Sequence, residues 1–144
     1  MDILSDITSR LAVLDVTVLQ PNQARLPETY RARTASGRKD ASPDAARGLS
    51  AYLADHPEGY VQLFEPSGAF ASDVRGVSTC LIHCCGPVRE VAHSLADGVI
   101  KQLHFRPERP TPYKLLTDKQ TFPLGEGARV ALAFSATRKL LTPF

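Results

Sequence analysis

Hydrophobic residues recur every three or four positions between residues 86 and 105, which is the strongest helical pattern in the chain. This spacing places the side chains on one stripe of a helix. Gly86-Pro87 predicts the helix start, because a proline at the first helical position loses no hydrogen bond. We expect this apolar stripe to pack across a small sheet. Its members are Val88, Val91, Ala92, Leu95, Val99 and Leu103.

Alternating apolar and polar residues predict strands on both sides of that helix. The strands are expected at residues 60–64, at about 74–85, and at 129–135 after the glycines of Gly125-Glu126-Gly127. Shorter extended pieces are expected at 16–19 and 113–117. Both rows of the 74–85 strand contain apolar residues, which predicts a central position in the sheet. Val130, Leu132 and Phe134 of the last strand predict a core row beneath the long helix.

Two further helices and one irregular segment complete the pattern. Residues 3–14 place their apolar side chains on one face, which predicts a first helix. Ser42-Pro43 predicts the start of another, which ends at His56-Pro57. Prolines and basic residues interrupt the chain between them, so residues 21–41 are expected to form a loop or mobile arm. We predict one α+β domain over residues 1–144, with a mostly antiparallel sheet of about four strands packed against two or three helices.

Size and composition restrict the protein's class. The 144 residues suffice for one domain, and 43% hydrophobic and 22% charged residues are typical of a globular protein. A net charge of +2 is too small to predict nucleic-acid binding. The N-terminus carries acids where a signal peptide carries bases, and no apolar run approaches the roughly 20 residues that cross a bilayer. We therefore expect no membrane partner and a cytoplasmic location.

Three cysteines, Cys80, Cys84 and Cys85, lie within six positions, which is unlike a disulfide framework. Together with His83 and His104 they are the best candidates for a metal site. Zinc requires ligands that converge as a tetrahedron, but strand alternation directs Cys80 and His83 to opposite faces. We therefore expect reduced thiols packed in the core, with no metal and no cofactor.

A thiol nucleophile is an alternative use of the same segment. Cys84 or Cys85 would lie just before a helix, whose dipole lowers a thiol pKa, and His83 or His93 would act as the base. The apolar row around Cys84 argues against this interpretation, so we assign no catalytic residue and expect no enzyme activity.

Glu90, His93 and Asp97 share one helical face at spacings of three and four residues. This geometry suits an acid–base pair or a carboxylate–histidine ligand set. It is equally typical of a solvated helix face, which is the interpretation we favour because no second carboxylate cluster faces it.

Basic residues are concentrated in the irregular segment, where they could contact phosphate or an acidic protein surface. Tyr30 is the one aromatic residue among them, which weakens the case for nucleic acid. A segment that becomes ordered on a partner subunit fits the composition better. The predicted partner contacts are Arg25, Arg31, Arg33 and Arg38, followed by Arg89 and Lys101 on the long helix.

From Tyr60 onward, the order and length of the elements resemble the tail-terminator, or tail-completion, proteins of tailed bacteriophages and prophages. They are most similar to the group typified by the Mu-like tail protein. The segments that carry the resemblance are YVQLFEPSGAF, VSTCLIHCCG, VREVAHSLADGVIKQL, RPERPTPYKLL and GARVALAFSATRKLL, with ILSDITSRLAVL near the N-terminus. Residues 21–47 have no counterpart in that family.

The resemblance implies a virion protein that forms a ring, as a homohexamer, at the head-proximal end of the tail tube. Its partners would be further copies of itself, the tail tube protein and a neck or head-completion protein, and DNA would only pass through the ring. Assembly would take place in the host cytoplasm, without catalysis or a cofactor. Three alternatives stay open: another phage connector or minor tail component, a small cysteine-dependent enzyme, and a nucleic-acid-binding module that acts through the basic segment.

Overall fold

The computed structural model describes residues 2–31, 47–67 and 77–137, and these ranges form helices packed on a six-stranded mixed sheet. The strands are β1 (Thr17–Leu19), β2 (Tyr60–Leu63), β3 (Val77–Gly86), β4 (Tyr113–Leu115), β5 (Gln120–Leu124) and β6 (Gly127–Thr137). The α-helices are α1 (Ile3–Leu11), α2 (Leu26–Thr29), α3 (Leu49–Asp55) and α4 (Arg89–Leu103). The predicted α+β class is confirmed, with six strands where about four were expected.

The sheet runs in the order β1-β2-β3-β6-β4, and β5 pairs with the other half of the β6 edge. Only the β1–β2 pair is parallel among the described strands, as expected for a mostly antiparallel sheet. β3 lies between β2 and β6, which confirms its predicted central position. Its ten residues all pair with β6, from Val77 opposite Thr137 to Gly86 opposite Ala128.

The main core lies between one face of the sheet and helices α1 and α4. Val130, Leu132 and Phe134 of β6 are fully buried there, as their alternation predicted. The buried stripe of α4 consists of Ala92, Leu95, Ala96, Val99 and Leu103.

The start of the long helix differs from the prediction. Gly86 still pairs with Ala128 in the sheet, and Val88 caps a helix that begins at Arg89. Val88 therefore stays exposed instead of joining the stripe, because the chain turns from the strand into the helix at Pro87 and Val88.

The helix expected from Ser42 begins at Leu49 in the structure. Gly48, directly before it, has a φ of +85°, which a helix cannot accommodate. Arg47 forms an isolated bridge with Arg31, so the helix cannot extend back through this position. Ser42 itself lies outside the described residues.

Residues 21–31 are helical in part, where a loop or mobile arm was expected. A 3-10 turn spans Pro21–Gln23, and the four-residue helix α2 follows it. Gln20 and Gln23 form a reciprocal capping box that satisfies the backbone of the first turn. The remainder of that expected arm, residues 32–41, lies outside the described residues.

Helix α3 covers one end of the opposite sheet face and forms a second, smaller core. Its members are Leu19, Tyr52, Leu53, Tyr60 and Cys85. Because side chains alternate along β3, Cys84 belongs to the main core and Cys85 to this one.

A buried polar contact joins α1 to β4. The hydroxyl of Tyr113 donates to Asp6 Oδ2 at 2.5 Å, and Arg10 Nε donates to the same oxygen at 2.8 Å. Burial and the neighbouring carboxylate raise the pKa of Tyr113 above its ordinary value, so the phenol stays protonated. The network satisfies two polar groups that burial would otherwise destabilise.

The β5–β6 hairpin was not predicted as a hairpin. Leu124 pairs with Gly127, which leaves a two-residue loop whose first member, Gly125, has a φ of +59°. β5 is mostly exposed and contains Pro123, so neither burial nor alternation marks it in the sequence.

Gly127→Ala should destabilise the fold strongly, because a Cβ at this position would overlap the carbonyl oxygen of Gly86. We expect a loss of about 3 kcal/mol in the free energy of unfolding, since backbone atoms must move apart. Gly125→Ala is the matched control, because a Cβ there meets nothing within 4 Å and only φ is unfavourable, which costs about 1 kcal/mol. Urea unfolding measures both values, and equal losses would contradict the packing argument.

Candidate functional site

The three cysteines lie in apolar surroundings. Cys80 and Cys84 belong to the main core, and Cys85 packs beside Tyr60 in the second core. Burial raises the pKa of the Cys80 and Cys85 thiols to about 11 and that of Cys84 further still. The thiols are therefore protonated at neutral pH, and this environment does not favour the nucleophile hypothesis.

The predicted metal candidates do not converge. Cys80 and Cys84 point to the α4 side of β3, whereas His83 and Cys85 point to the opposite side. His104 follows the C-terminus of α4, where its Nδ1 accepts a hydrogen bond from the Leu115 backbone at 3.0 Å. Within residues 2–31, 47–67 and 77–137, no group of three or more His, Cys, Asp or Glu side chains could hold a metal ion.

His93 and Asp97 contact other parts of the protein, whereas Glu90 is exposed and has no ion pair with a described residue. His93 Nε2 lies 2.8 Å from the Thr121 hydroxyl, and Lys119 donates to Asp97 at 2.7 Å. These contacts attach α4 to β5 and to the segment before it. His93 and Asp97 therefore hold α4 against this side of the sheet, which does not favour the acid–base interpretation.

The basic residues predicted as partner contacts are dispersed. Arg25 is exposed and lies 3.8 Å from Glu28, whereas Arg31 is half-buried in the bridge to Arg47. Arg33 and Arg38 lie outside the described residues.

Arg89 and Lys101, the second choice, are both exposed on α4. Twelve residues separate them, so they lie about 18 Å apart along the helix axis. They therefore cannot contribute to one small contact site.

A groove lies between α4 and the 3-10 turn that follows α1. It has a volume of about 400 Å³ and an apolar floor, and two carboxylates, Glu58 and Glu90, also line it. Gly98 lets Leu14 pack closely on α4 at the side of the groove, because a Cβ there would lie 3.1 Å from a methyl group of Leu14. The apolar lining consists of Leu14, Val16, Val91, Leu95 and Gly98.

Among the described residues, no element other than α3 packs on the sheet face opposite α4, and α3 covers only one end of it. Val77 and Leu81 of β3 are 50% and 47% exposed there, although both lie in a central strand. Their cross-strand partners are Thr137 and Ala133, so the neighbouring β6 surface is made of short side chains. An open face with exposed aliphatic residues is typical of a surface that another protein covers.

Phe122 is exposed and Arg129 is half-buried, and the two side chains form a pair at the edge of this open face. They are cross-strand partners, and the guanidinium lies 5.0 Å from the ring centroid of Phe122. Arg129 Nε is buried and has no hydrogen-bond partner among the described residues, and Arg129 forms no ion pair with a described carboxylate. The pair combines an aromatic surface with a cation that has no ion-pair partner in the described part of the chain.

Sequence reasoning did not identify the groove or the Phe122–Arg129 pair. The groove joins residues that are distant in the chain, so no local pattern marks it. The pair depends on the β5–β6 register, and a glycine-containing two-residue turn at Gly125-Glu126 was the signal that could have predicted it.

Comparisons with known proteins do not identify a family. No protein-family model matches the chain, and no curated protein matches it significantly. None of the helices in the described ranges is long and apolar enough to cross a membrane. The resemblance to tail-terminator proteins is therefore a prediction from the sequence alone.

The native thiols should react slowly with Ellman's reagent at pH 7.5, because burial protects all three and keeps them protonated. We expect less than one equivalent to react within minutes, and all three after unfolding in guanidinium chloride. Rapid reaction of one thiol in the folded protein would contradict this and favour the enzyme alternative.

Stability should fall as the pH decreases from 6.5 to 4. Burial, with a smaller effect of Arg129, lowers the pKa of His83 from 6.5 to about 4. The unfolded chain therefore binds a proton in this window that the folded protein rejects. Urea unfolding of His83→Gln should show a flatter decline in this window, and a slope equal to that of the unchanged protein would contradict the assignment.

Proposed function

We propose that this protein is a structural subunit of a phage or prophage tail, which assembles into a ring, a homohexamer, that ends the tail tube and joins it to the neck. The observation that carries the proposal is the open sheet face, with Val77, Leu81 and Phe122 exposed on one surface. The order of the elements, which resembles that of tail-terminator proteins, is the reason for proposing the end of the tail tube as its position in the virion.

The exposed side chains support assembly because a lone subunit gains nothing from them. Burial of apolar surface stabilises an interface by roughly 25 cal/mol per Å². Scattered single hydrophobic residues are normal on a surface, but Val77 and Leu81 lie on the same face of β3, and Phe122 lies on that face at the other end of the sheet. A neighbouring subunit that extends along this whole face would bury all three.

The polar groups support the same proposal. The buried Asp6–Tyr113–Arg10 contact joins secondary-structure elements, and the protonated thiols fill the core. His93 and Asp97 of α4 contact Thr121 and Lys119. These contacts stabilise the subunit itself, and the protonated thiols do not favour a cysteine-dependent reaction.

Another connector or minor tail component would use the same surfaces at a different place in the virion. The growth of tail-tube polymers in the presence of this protein distinguishes the two positions. A terminator should stop the growth of tail-tube polymers when it is added in stoichiometric amounts, whereas a component of another position should not.

The first test is the mass of the purified protein by light scattering, combined with electron micrographs. We expect a closed ring with the mass of six chains, and a monomer at tens of micromolar without rings would overturn the proposal. Leu81→Asp should raise the dissociation constant at least about tenfold, because it places a charge on the covered face. Leu81→Met, which keeps an apolar side chain of similar volume, should assemble like the unchanged protein.

A further inference from the structure

We propose that the Phe122–Arg129 pair of one copy docks in the groove between α4 and the 3-10 turn of the next copy, where Arg129 meets Glu58 and Glu90. This inference rests on the proposed function, since it names the contact between neighbouring ring subunits. It identifies a second copy of this chain as the occupant of both surfaces.

The Phe122–Arg129 pair supplies an apolar ring and a cation in one place. The guanidinium lies over the ring, and its buried Nε has no acceptor among the described residues. A cation in this situation gains from a carboxylate that arrives with an apolar surface, because both the charge and the ring are then covered.

The groove supplies the matching chemistry. Its floor is aliphatic, formed in part by Val16, Val91 and Leu95, and Glu58 and Glu90 also line it. Glu90 is exposed and has no ion pair with a described residue, whereas Glu58 lies 3.4 Å from His56 Nδ1. Two carboxylates beside an apolar floor suit an aromatic ring that carries a guanidinium.

The charges favour a head-to-tail contact over a two-fold symmetric one. A groove placed against a second groove would bring the carboxylates of Glu58 and Glu90 together in both copies. A pair placed against a second pair would bring two Arg129 guanidinium groups together. Only the unlike pairing joins opposite charges, and like-charge contacts select against the alternatives.

The two surfaces lie on opposite sides of the sheet. Arg129 is paired with Cys85 on the face that carries α3, whereas the groove lies on the side of α1 and α4. Contacts between unlike surfaces repeat from copy to copy, so they generate a closed ring or an open filament instead of a dimer.

Charge reversal tests the contact. Glu90→Lys and Arg129→Glu should each assemble at least about tenfold more weakly than the unchanged protein, because each places like charges at every interface. An equimolar mixture of the two variants should regain assembly. In the mixture, native contacts alternate around the ring with contacts in which the charges of positions 90 and 129 are exchanged while Glu58 is unchanged, and light scattering measures the recovery.

Glu108→Lys is the matched control, because Glu108 is exposed beyond the C-terminal end of α4 and contacts only Arg106 at 3.8 Å among the described residues. It should assemble normally. If Arg129→Glu fails to fold, as its thermal unfolding would show, Arg129→Met replaces it and should weaken assembly by itself. Its mixture with Glu90→Lys should then recover only in part, because native contacts alternate with contacts that have no ion pair.

The failures of the two proposals are distinguishable. If the unchanged protein forms rings and Glu90→Lys forms them equally well, the docking contact is wrong and the ring proposal stands. If folded Arg129→Glu and Glu90→Lys both weaken assembly but their mixture does not recover, the proposed contact between Arg129 and Glu90 is wrong and the ring proposal stands. If the unchanged protein is monomeric, both proposals are wrong.

Discussion

The pairing of β3 with β6 is the constraint on which both sides of the molecule depend. Because side chains alternate along a strand, a shift of one residue would move Ile82 and Phe134 out of the main core. Gly127 supports this register at one end, because its backbone lies too close to the Gly86 carbonyl oxygen for a side chain. The same register places Arg129 opposite Cys85, and the β5–β6 pairing places Arg129 beside Phe122.

Different helices cover the two faces of the sheet, and the proposed function depends on this difference. Helices α1 and α4 cover one face, and the cysteines of that face are buried with them. α3 covers only part of the other, so Val77 and Leu81 stay exposed in the middle of the sheet. A sheet with one covered face and one partly exposed face is suited to assembly with further copies.

Much of the fold follows from local patterns. Periodicity located α1, α4 and the strands β3 and β6, because each buries one regular row of apolar side chains. β2 was located as a short, mostly apolar run, and all four of its residues are buried. The start of α3 was misplaced because Ser42-Pro43 has the sequence of a helix cap, while the φ of Gly48 is decided by the surrounding backbone. β5 was missed because an exposed edge strand with Pro123 has no buried row.

The candidate surfaces were less accessible to sequence reasoning than the fold. Strand alternation correctly separated Cys80 from His83, since that depends on neighbouring positions only. The groove joins Leu14, Glu58 and Gly98, which tertiary packing alone brings together. An electron-microscopy reconstruction of the assembled protein tests the central claim most directly. We predict a ring in which the guanidinium of Arg129 lies within about 4 Å of a carboxylate of the neighbouring subunit. A ring that leaves Phe122 and Arg129 in solvent, or particles that are only monomers, would contradict it.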